Sequence, residues 1–195
     1  MVTIIFDIGG VLEMADSTRR LAKALAERYS IGEEYCVDLY NKHVEAIDRG
    51  AFPLRKYVEE INKKFKTSIS YEDFVSVLHG AKILNNDVLA LAEQLKRKYS
   101  LYVLSNNFPE NVVFYKKQGF DKIFKKMFIS CEIGSIKPEK KIYEVALQQI
   151  AEKDKVIFID DVEKNLETAE KLGMKGIHFT SYGGLLRELK RLGVL

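Results

Sequence analysis

The 195-residue sequence contains no tryptophan, only three prolines and only two cysteines. Cys36 and Cys131 are far apart and form no CxxC pair, which argues against a structural disulfide and against a cysteine zinc site. Because glycine and proline are scarce, we expect no long flexible linker and no low-complexity tract. No basic leader followed by a long apolar run is present, so we expect neither a signal peptide nor a membrane span, and we predict a cytoplasmic location.

Neither sign of charge dominates, since 31 basic residues stand against 28 acidic ones and the net charge is +3. This balance gives no reason to expect nucleic acid or an anionic membrane as a partner. Hydrophobic residues make up 47% of the chain, which excludes a disordered protein and provides for a sizeable core. The charged residues are rich in lysine and glutamate, an enrichment that is also found in thermophilic proteins.

Short apolar runs predict the strands of a parallel sheet, at residues 2–6, 101–104, 127–130, 156–159 and 175–179. These runs lack polar alternation, which is typical of strands that are covered on both faces. Helical periodicity fills the intervals, at residues 86–98, 139–150, 162–172 and 183–192. Strands that alternate with helices predict an α/β fold with a doubly wound, Rossmann-like parallel sheet.

Residues 14–84 interrupt this alternation. They show no strand pattern, and their apolar periodicity predicts amphipathic helices near 17–29, 33–48, 53–66 and 70–79. A block of about 70 residues is too long for a single crossover connection. We therefore expect a core domain formed by residues 1–13 and 85–195, with an inserted α-helical cap domain at residues 14–84.

Polar residues occur where the predicted strands end. Asp7 ends the first strand, Ser105-Asn106-Asn107 the second and Asp160-Asp161 the fourth, while Lys137-Pro138 follows the third. The carboxyl ends of parallel strands meet at one edge of a sheet, so we expect these groups to share a site. The aspartates offer the oxygen ligands that Mg²⁺ prefers, and the serine and lysine suit phosphate oxygens. A carboxylate beside a metal-bound phosphate can attack phosphorus, and water then hydrolyses the aspartyl-phosphate.

These motifs, in this order, resemble those of haloacid dehalogenase (HAD) superfamily phosphohydrolases. The matching segments are Phe6-Asp7-Ile8-Gly9-Gly10-Val11-Leu12, Leu104-Ser105-Asn106, Lys137-Pro138-Glu139-Lys140-Lys141-Ile142-Tyr143, and Phe158-Ile159-Asp160-Asp161 with Asn165. The insertion lies where type-one helical caps of that superfamily occur. Within the superfamily the chain is most similar to the alpha-glucose-1-phosphate phosphatase-like subgroup, which shares Gly9 and the Arg49-Gly50 turn.

The resemblance implies a Mg²⁺-dependent phosphomonoester hydrolase that acts on a small phosphorylated metabolite, with a sugar phosphate as the expected example. It implies catalytic roles for Asp7, as nucleophile, and for Lys137. The implied metal ligands are Asp7, the Gly9 carbonyl, Asp161 directly, and Asp160 from a second shell or through water. The residues implied to bind the phosphoryl group or substrate are Ser105, Asn106, Lys137 and Gly10.

Gly9 departs from the superfamily pattern, in which most phosphatases carry an aspartate that protonates the leaving alcohol. General acid–base help of this kind is worth roughly 100- to 10,000-fold. Three explanations stay open: a leaving group acidic enough to need little help, as the anomeric oxygen of a sugar 1-phosphate partly is; a substitute acid from Glu13, Asp16 or the cap; or slow turnover. Two further functions stay open: a metal-independent 2-haloacid dehalogenase, and a catalytically impaired homologue that binds a phosphorylated ligand. The sequence predicts neither the exact substrate nor the oligomeric state.

Overall fold

The computed structural model describes residues 2–151 and 154–195. Met1 and residues 152–153, which fall within the predicted core domain, lie outside the described residues. Within the described ranges the strands are β1 (Val2–Phe6), β2 (Ser100–Ser105), β3 (Lys126–Ile129), β4 (Lys155–Asp160) and β5 (Lys175–His178). All neighbouring strands are parallel, in the order β3-β2-β1-β4-β5. The predicted parallel α/β fold is confirmed, and β1 lies at the centre of the sheet.

Eleven helices are found in the described part of the chain. They are α1 (Ser17–Tyr29), α2 (Glu33–Asp48), α3 (Leu54–Phe65), α4 (Tyr71–Gly80), α5 (Asn86–Leu95), α6 (Pro109–Lys117), α7 (Phe120–Ile123), α8 (Ser130–Ile133), α9 (Lys140–Gln149), α10 (Glu163–Lys171) and α11 (Tyr182–Arg191). The sequence analysis did not predict α6, α7 and α8. The last two have four residues each, and α6 carries consecutive apolar residues at 112–115 that hide any helical period. None of the described helices is both long and apolar enough to span a bilayer.

The central strand shows why the apolar runs lack polar alternation. Ile4 and Phe6 of β1 belong to one hydrophobic cluster, whereas Ile5 belongs to another. Alternate side chains of a strand reach opposite faces, so both faces of the sheet are covered by helices. Phe6 pairs with Ile159, which brings Asp7, one residue later, level with Asp160 at the end of β4.

The helical insertion (residues 14–84) has a hydrophobic cluster of its own. Leu25, Cys36, Ile61 and Phe74 are buried in it, and Phe108 joins it from the core side. The two segments that connect the insertion to the sheet lie side by side: the Met14 N–H donates to the Ile83 carbonyl at 2.8 Å, and the Asn85 N–H to the Leu12 carbonyl at 2.9 Å. The insertion therefore enters and leaves at one place, a few residues beyond the end of β1.

A buried ion pair closes this junction. The Lys82 ammonium donates to the Glu13 carboxylate at 3.0 Å, and the two side chains are only 3% and 2% exposed. The Tyr115 hydroxyl on α6 donates to the same carboxylate. Burial lowers the pKa of Lys82, and the charge of Glu13 acts in the opposite direction. The charge of Glu13 thereby helps Lys82 to remain protonated in the interior.

We predict that Lys82→Met destabilises the fold by about 3 kcal/mol, because it leaves the buried Glu13 carboxylate with only the more distant Arg20 guanidinium, 3.8 Å away, as a cation. The free energy of unfolding in urea measures this loss. The double variant Glu13→Gln/Lys82→Met should recover a large part of the stability, since it removes both charges. Lys23→Met is the control, because Lys23 and Glu27 form an exposed pair at 3.9 Å. A loss for Lys82→Met no larger than for Lys23→Met would contradict the prediction.

Candidate active site

Lys137 joins the two central strands at their carboxyl ends. Its ammonium donates to Asp7 Oδ1 at 2.8 Å and to Asp160 Oδ2 at 2.7 Å. Asp7 Oδ1 also accepts a hydrogen bond from the Ile8 N–H at 2.7 Å. All three charged side chains are buried, Asp160 completely. The structure thus brings together the ends of β1 and β4 and the loop before α9, as the sequence predicted.

Asp160 has both of its carboxylate oxygens engaged. Oδ1 accepts from the Val162 N–H at 2.8 Å and from the Asn165 amide at 3.0 Å. Oδ2 accepts from Lys137 and, at 3.1 Å, from the same amide. The residue therefore orients Lys137 and anchors the start of α10, which the sequence did not reveal.

Asp161 lies directly over Gly10. A Cβ atom added to Gly10 would come within 2.0 Å of Asp161 Oδ2, and the backbone of Gly10 has a φ of +72°. Both facts require glycine at this position. Asp161 is half-buried, and burial together with the charge of Asp160 raises the pKa of its carboxyl group.

Three carboxylates meet at this edge of the sheet. Asp7, Asp160 and Asp161 each offer an oxygen, and these atoms all lie within 4.8 Å of one another. Burial raises the pKa of Asp7 to about 7 although the charge of Lys137 opposes the shift, and the charge of Asp160 raises it further. Carboxylate oxygens gathered around an excess of negative charge fit a hard divalent cation such as Mg²⁺.

Asn106 holds the Lys137 loop against the end of β2. Its side-chain amide donates to the Lys137 carbonyl at 3.0 Å and accepts from the Lys137 N–H at 2.7 Å. Ser105, the last residue of β2, is almost fully buried, and its hydroxyl faces the Asn106 carbonyl at 3.5 Å. All the predicted site segments therefore lie at one edge of the sheet, but the Asn106 side chain is engaged with the protein backbone.

Gly9 is exposed, and a Cβ atom placed on it would meet no heavy atom within 4 Å. Packing therefore leaves room for a side chain at this position. Of the substitute acids considered from the sequence, Glu13 is bonded to Lys82 and Tyr115, and Asp16 lies exposed just before α1. Neither arrangement favours a role in proton transfer at Asp7.

Asp48 is an acid near the site that the sequence analysis missed. It is the last residue of α2, and its side chain is turned inward, with 8% exposure. Burial raises its pKa to about 7, and the positive charge of Lys137 acts on it in the opposite direction. Its helical spacing from Tyr40 and Val44 was the available signal, because residues four apart share one face of a helix.

A cavity of about 30 Å³ lies between the helical insertion and the core. Tyr40 and Lys82 line it from the insertion, and Phe108 and Asn111 line it from the core. Its volume is close to that of one water molecule. Burial raises the pKa of the Tyr40 hydroxyl, and the charges of Asp48 and Glu13 raise it further.

Comparison with known proteins gives the family. A model for haloacid dehalogenase-like hydrolases matches residues 1–173. The chain belongs to this family. The resemblance at superfamily level is confirmed, while membership of the alpha-glucose-1-phosphate phosphatase-like subgroup stays a prediction.

Curated relatives in this family are distant and longer. Bifunctional epoxide hydrolase 2 of Mus musculus is 26% identical over 96% of this chain, which spans 38% of that protein. Acyl-CoA dehydrogenase family member 10 of Mus musculus is 23% identical over 97% of the chain, which spans 19% of it.

Solved structures share the fold of the HAD-like hydrolase. A HAD family enzyme from Bacteroides thetaiotaomicron in complex with magnesium has a TM-score of 0.79 and 22% identity, covering 96% of this chain and 98% of that one. The same enzyme has also been solved with magnesium and inorganic phosphate, with a TM-score of 0.72, 20% identity, and 95% and 98% coverage. An L-2-haloacid dehalogenase has a TM-score of 0.66 and 20% identity, with 90% and 83% coverage.

We predict that Gly10→Ala weakens Mg²⁺ binding, because the new methyl group would displace the Asp161 carboxylate. Titration calorimetry with MgCl₂ alone measures the affinity. Gly9→Ala is the matched control: it adds the same methyl group one residue earlier, where it meets nothing within 4 Å. Equal Mg²⁺ affinity in the two variants would show that Asp161 does not bind the ion.

Proposed function

We propose that this HAD-like hydrolase is a Mg²⁺-dependent phosphomonoesterase that acts on a small phosphorylated metabolite through an aspartyl-phosphate on Asp7. The observation that carries the proposal is the buried Lys137 ammonium, held between Asp7 and Asp160 beside the carboxylate of Asp161. This arrangement combines an oriented nucleophile, a fixed positive charge for a phosphate dianion and a set of oxygen ligands for a metal.

The hydrogen bonds of Asp7 suit a nucleophile. Lys137 and the Ile8 N–H both bond Oδ1, which fixes the orientation of the carboxylate. In the proposed reaction Oδ2 attacks phosphorus, the bond from phosphorus to the alcohol oxygen breaks, and water later releases inorganic phosphate from Asp7. Lys137 reduces the repulsion between the carboxylate and the incoming dianion.

Asp7, Asp161 and the Gly9 carbonyl are the proposed direct ligands of Mg²⁺. Asp160 would act from the second shell or through water, which agrees with the hydrogen bonds that already occupy its oxygens. When bound, the ion would neutralise negative charge on the phosphate and on the clustered carboxylates. The magnesium complex of the Bacteroides thetaiotaomicron enzyme supports this choice of metal.

Phosphate oxygens would be received by Lys137, the Ser105 hydroxyl and backbone N–H groups near Gly10 and Asn106. The amide of Asn106 would contribute indirectly, by fixing the Lys137 loop.

We further propose that residues 14–84 act as a cap domain on the core formed by residues 1–13 and 85–195. The cap would cover the leaving group and exclude water, and the proposed substrate is a small metabolite such as a sugar phosphate.

A 2-haloacid dehalogenase is the second candidate. Gly9 favours it, because that chemistry needs no acid two residues after the nucleophile, and a solved L-2-haloacid dehalogenase shares the fold. The Asp160-Asp161 pair favours the phosphatase.

We predict that the protein releases phosphate from aryl phosphates in the presence of Mg²⁺ and that EDTA abolishes this activity. We also predict that it releases no chloride from L-2-chloropropionate in EDTA. The opposite pattern would establish the dehalogenase.

We predict that Asp7→Asn lowers the turnover of p-nitrophenyl phosphate by about 1,000-fold or more, because the amide cannot form the acyl phosphate. Release of p-nitrophenol in the presence of Mg²⁺ measures the rate. Asp121→Asn is the control, since Asp121 is exposed on α7, and it should keep full activity. Undiminished turnover by Asp7→Asn would exclude Asp7 as the nucleophile.

A further inference from the structure

The end of helix α2 is fastened to the core beside Lys137. The Ser130 hydroxyl donates to the Asp48 carbonyl at 2.6 Å. The next residue, Arg49, forms a two-pronged ion pair with Glu139, two positions after Lys137, with Nη1 3.0 Å from Oε2. These contacts hold the backbone of Asp48 in place from both sides. The end of α2 therefore has a defined position beside the Lys137 loop.

Gly50 allows this close approach. Its φ is +74°, and a Cβ atom on it would lie 3.1 Å from the Cys131 carbonyl. Cys131 belongs to α8, directly after β3. The turn that ends α2 is thus shaped to fit against the same sheet edge that carries Asp7.

The Asp48 carboxyl group is buried but has no fixed partner. It is 8% exposed, and among the described residues no hydrogen bond or ion pair reaches its side chain. The charge of Lys137 in the core acts on it, and its own charge acts on Tyr40 of the same helix and on Cys131 of α8. Burial raises its pKa to about 7, and Lys137 opposes the shift. Among the described residues, the fully buried side-chain N and O atoms without a partner belong to Tyr29, His43 and Asn111, so the Asp48 carboxyl group keeps some contact with solvent and is free to exchange a proton.

We propose that Asp48 is the general acid and base of this site, in the role that Gly9 leaves vacant. The proposal rests on the phosphatase function proposed above. In the first step the Asp48 carboxyl group gives its proton to the alcohol oxygen as the bond from that oxygen to phosphorus breaks and the bond from Asp7 forms. In the second step the Asp48 carboxylate takes a proton from the water that attacks the aspartyl-phosphate, and inorganic phosphate and free Asp7 result.

Two substrates of different leaving-group acidity test the proposal. p-Nitrophenol leaves without a proton, whereas the alcohol of glycerol 2-phosphate needs one. Asp48→Asn should lower kcat/KM for glycerol 2-phosphate by about 100-fold or more and that for p-nitrophenyl phosphate by about threefold at most. Glu45→Gln, an exposed acid on the same helix, is the matched control and should change neither value.

The pH dependence gives a second readout. Asp48 must be protonated to act as an acid, and its pKa is raised to about 7. For the unmodified protein, kcat/KM for glycerol 2-phosphate should therefore fall as the pH rises above about 7, on the alkaline side of the range in which Asp7 ionises. This limb should be absent in Asp48→Asn.

A carboxylate returned to position 9 should replace the lost one. Gly9→Asp in the Asp48→Asn background has room for its side chain, and recovered turnover of glycerol 2-phosphate would support the proposal.

Two results for Asp48→Asn would overturn the role of Asp48 but not the phosphatase function. One is an equal loss of kcat/KM on both substrates. The other is full turnover of glycerol 2-phosphate with an unchanged pH dependence. No aryl phosphatase activity in the unmodified protein would overturn the proposed function, and the role of Asp48 with it.

Discussion

The ammonium of Lys137 is the group on which the site is built. Burial acts to lower the pKa of Lys137, but the charges of Asp7 and Asp160 raise it above its usual value. The cation therefore persists in the interior. In return it holds two carboxylates from neighbouring strands close together, which their mutual repulsion would otherwise prevent. With Asp161 beside them, three carboxylates face a single ammonium at this edge. The site thus retains negative charge that a divalent cation can balance.

Much of this arrangement follows from the sequence, because a parallel sheet places all its strand ends at one edge. The buried runs give the strands, and the polar residues that follow Phe6, Leu104 and Ile159 then have to meet. What the sequence could not give are contacts between elements far apart in the chain. The hydrogen bonds from Asn165 to Asp160 depend on how helices pack on the finished sheet. The inward position of the Asp48 side chain depends on this packing as well. The short helices α7 and α8 were missed because four residues carry no period.

Glu13 shows how a polar residue near a site can be misjudged. From the sequence it was a candidate acid, six residues after Asp7. In the structure its carboxylate is bound by Lys82 and Tyr115, at the place where the insertion joins the core. The hydrogen bonds of Glu13 fix a junction and leave its carboxylate oxygens occupied, whereas proton transfer needs an acid that can reach the reacting atoms. The unpartnered carboxyl group of Asp48 meets that requirement, and the paired one of Glu13 does not.

The position of an acid determines when it can act. An aspartate at position 9 would lie on the same loop as Asp7 and would be present whatever the insertion does. Asp48 reaches the site only while the end of α2 rests on the core, through Ser130 and through the Arg49–Glu139 pair. A proton donor on the insertion therefore makes cleavage of a poor leaving group conditional on the docking of the end of α2 against the core. The open space at Gly9 shows that packing in this structure does not exclude the alternative. An acid at position 9 would make proton transfer independent of the insertion. An acid at position 48 makes proton transfer depend on the docking of the insertion against the core.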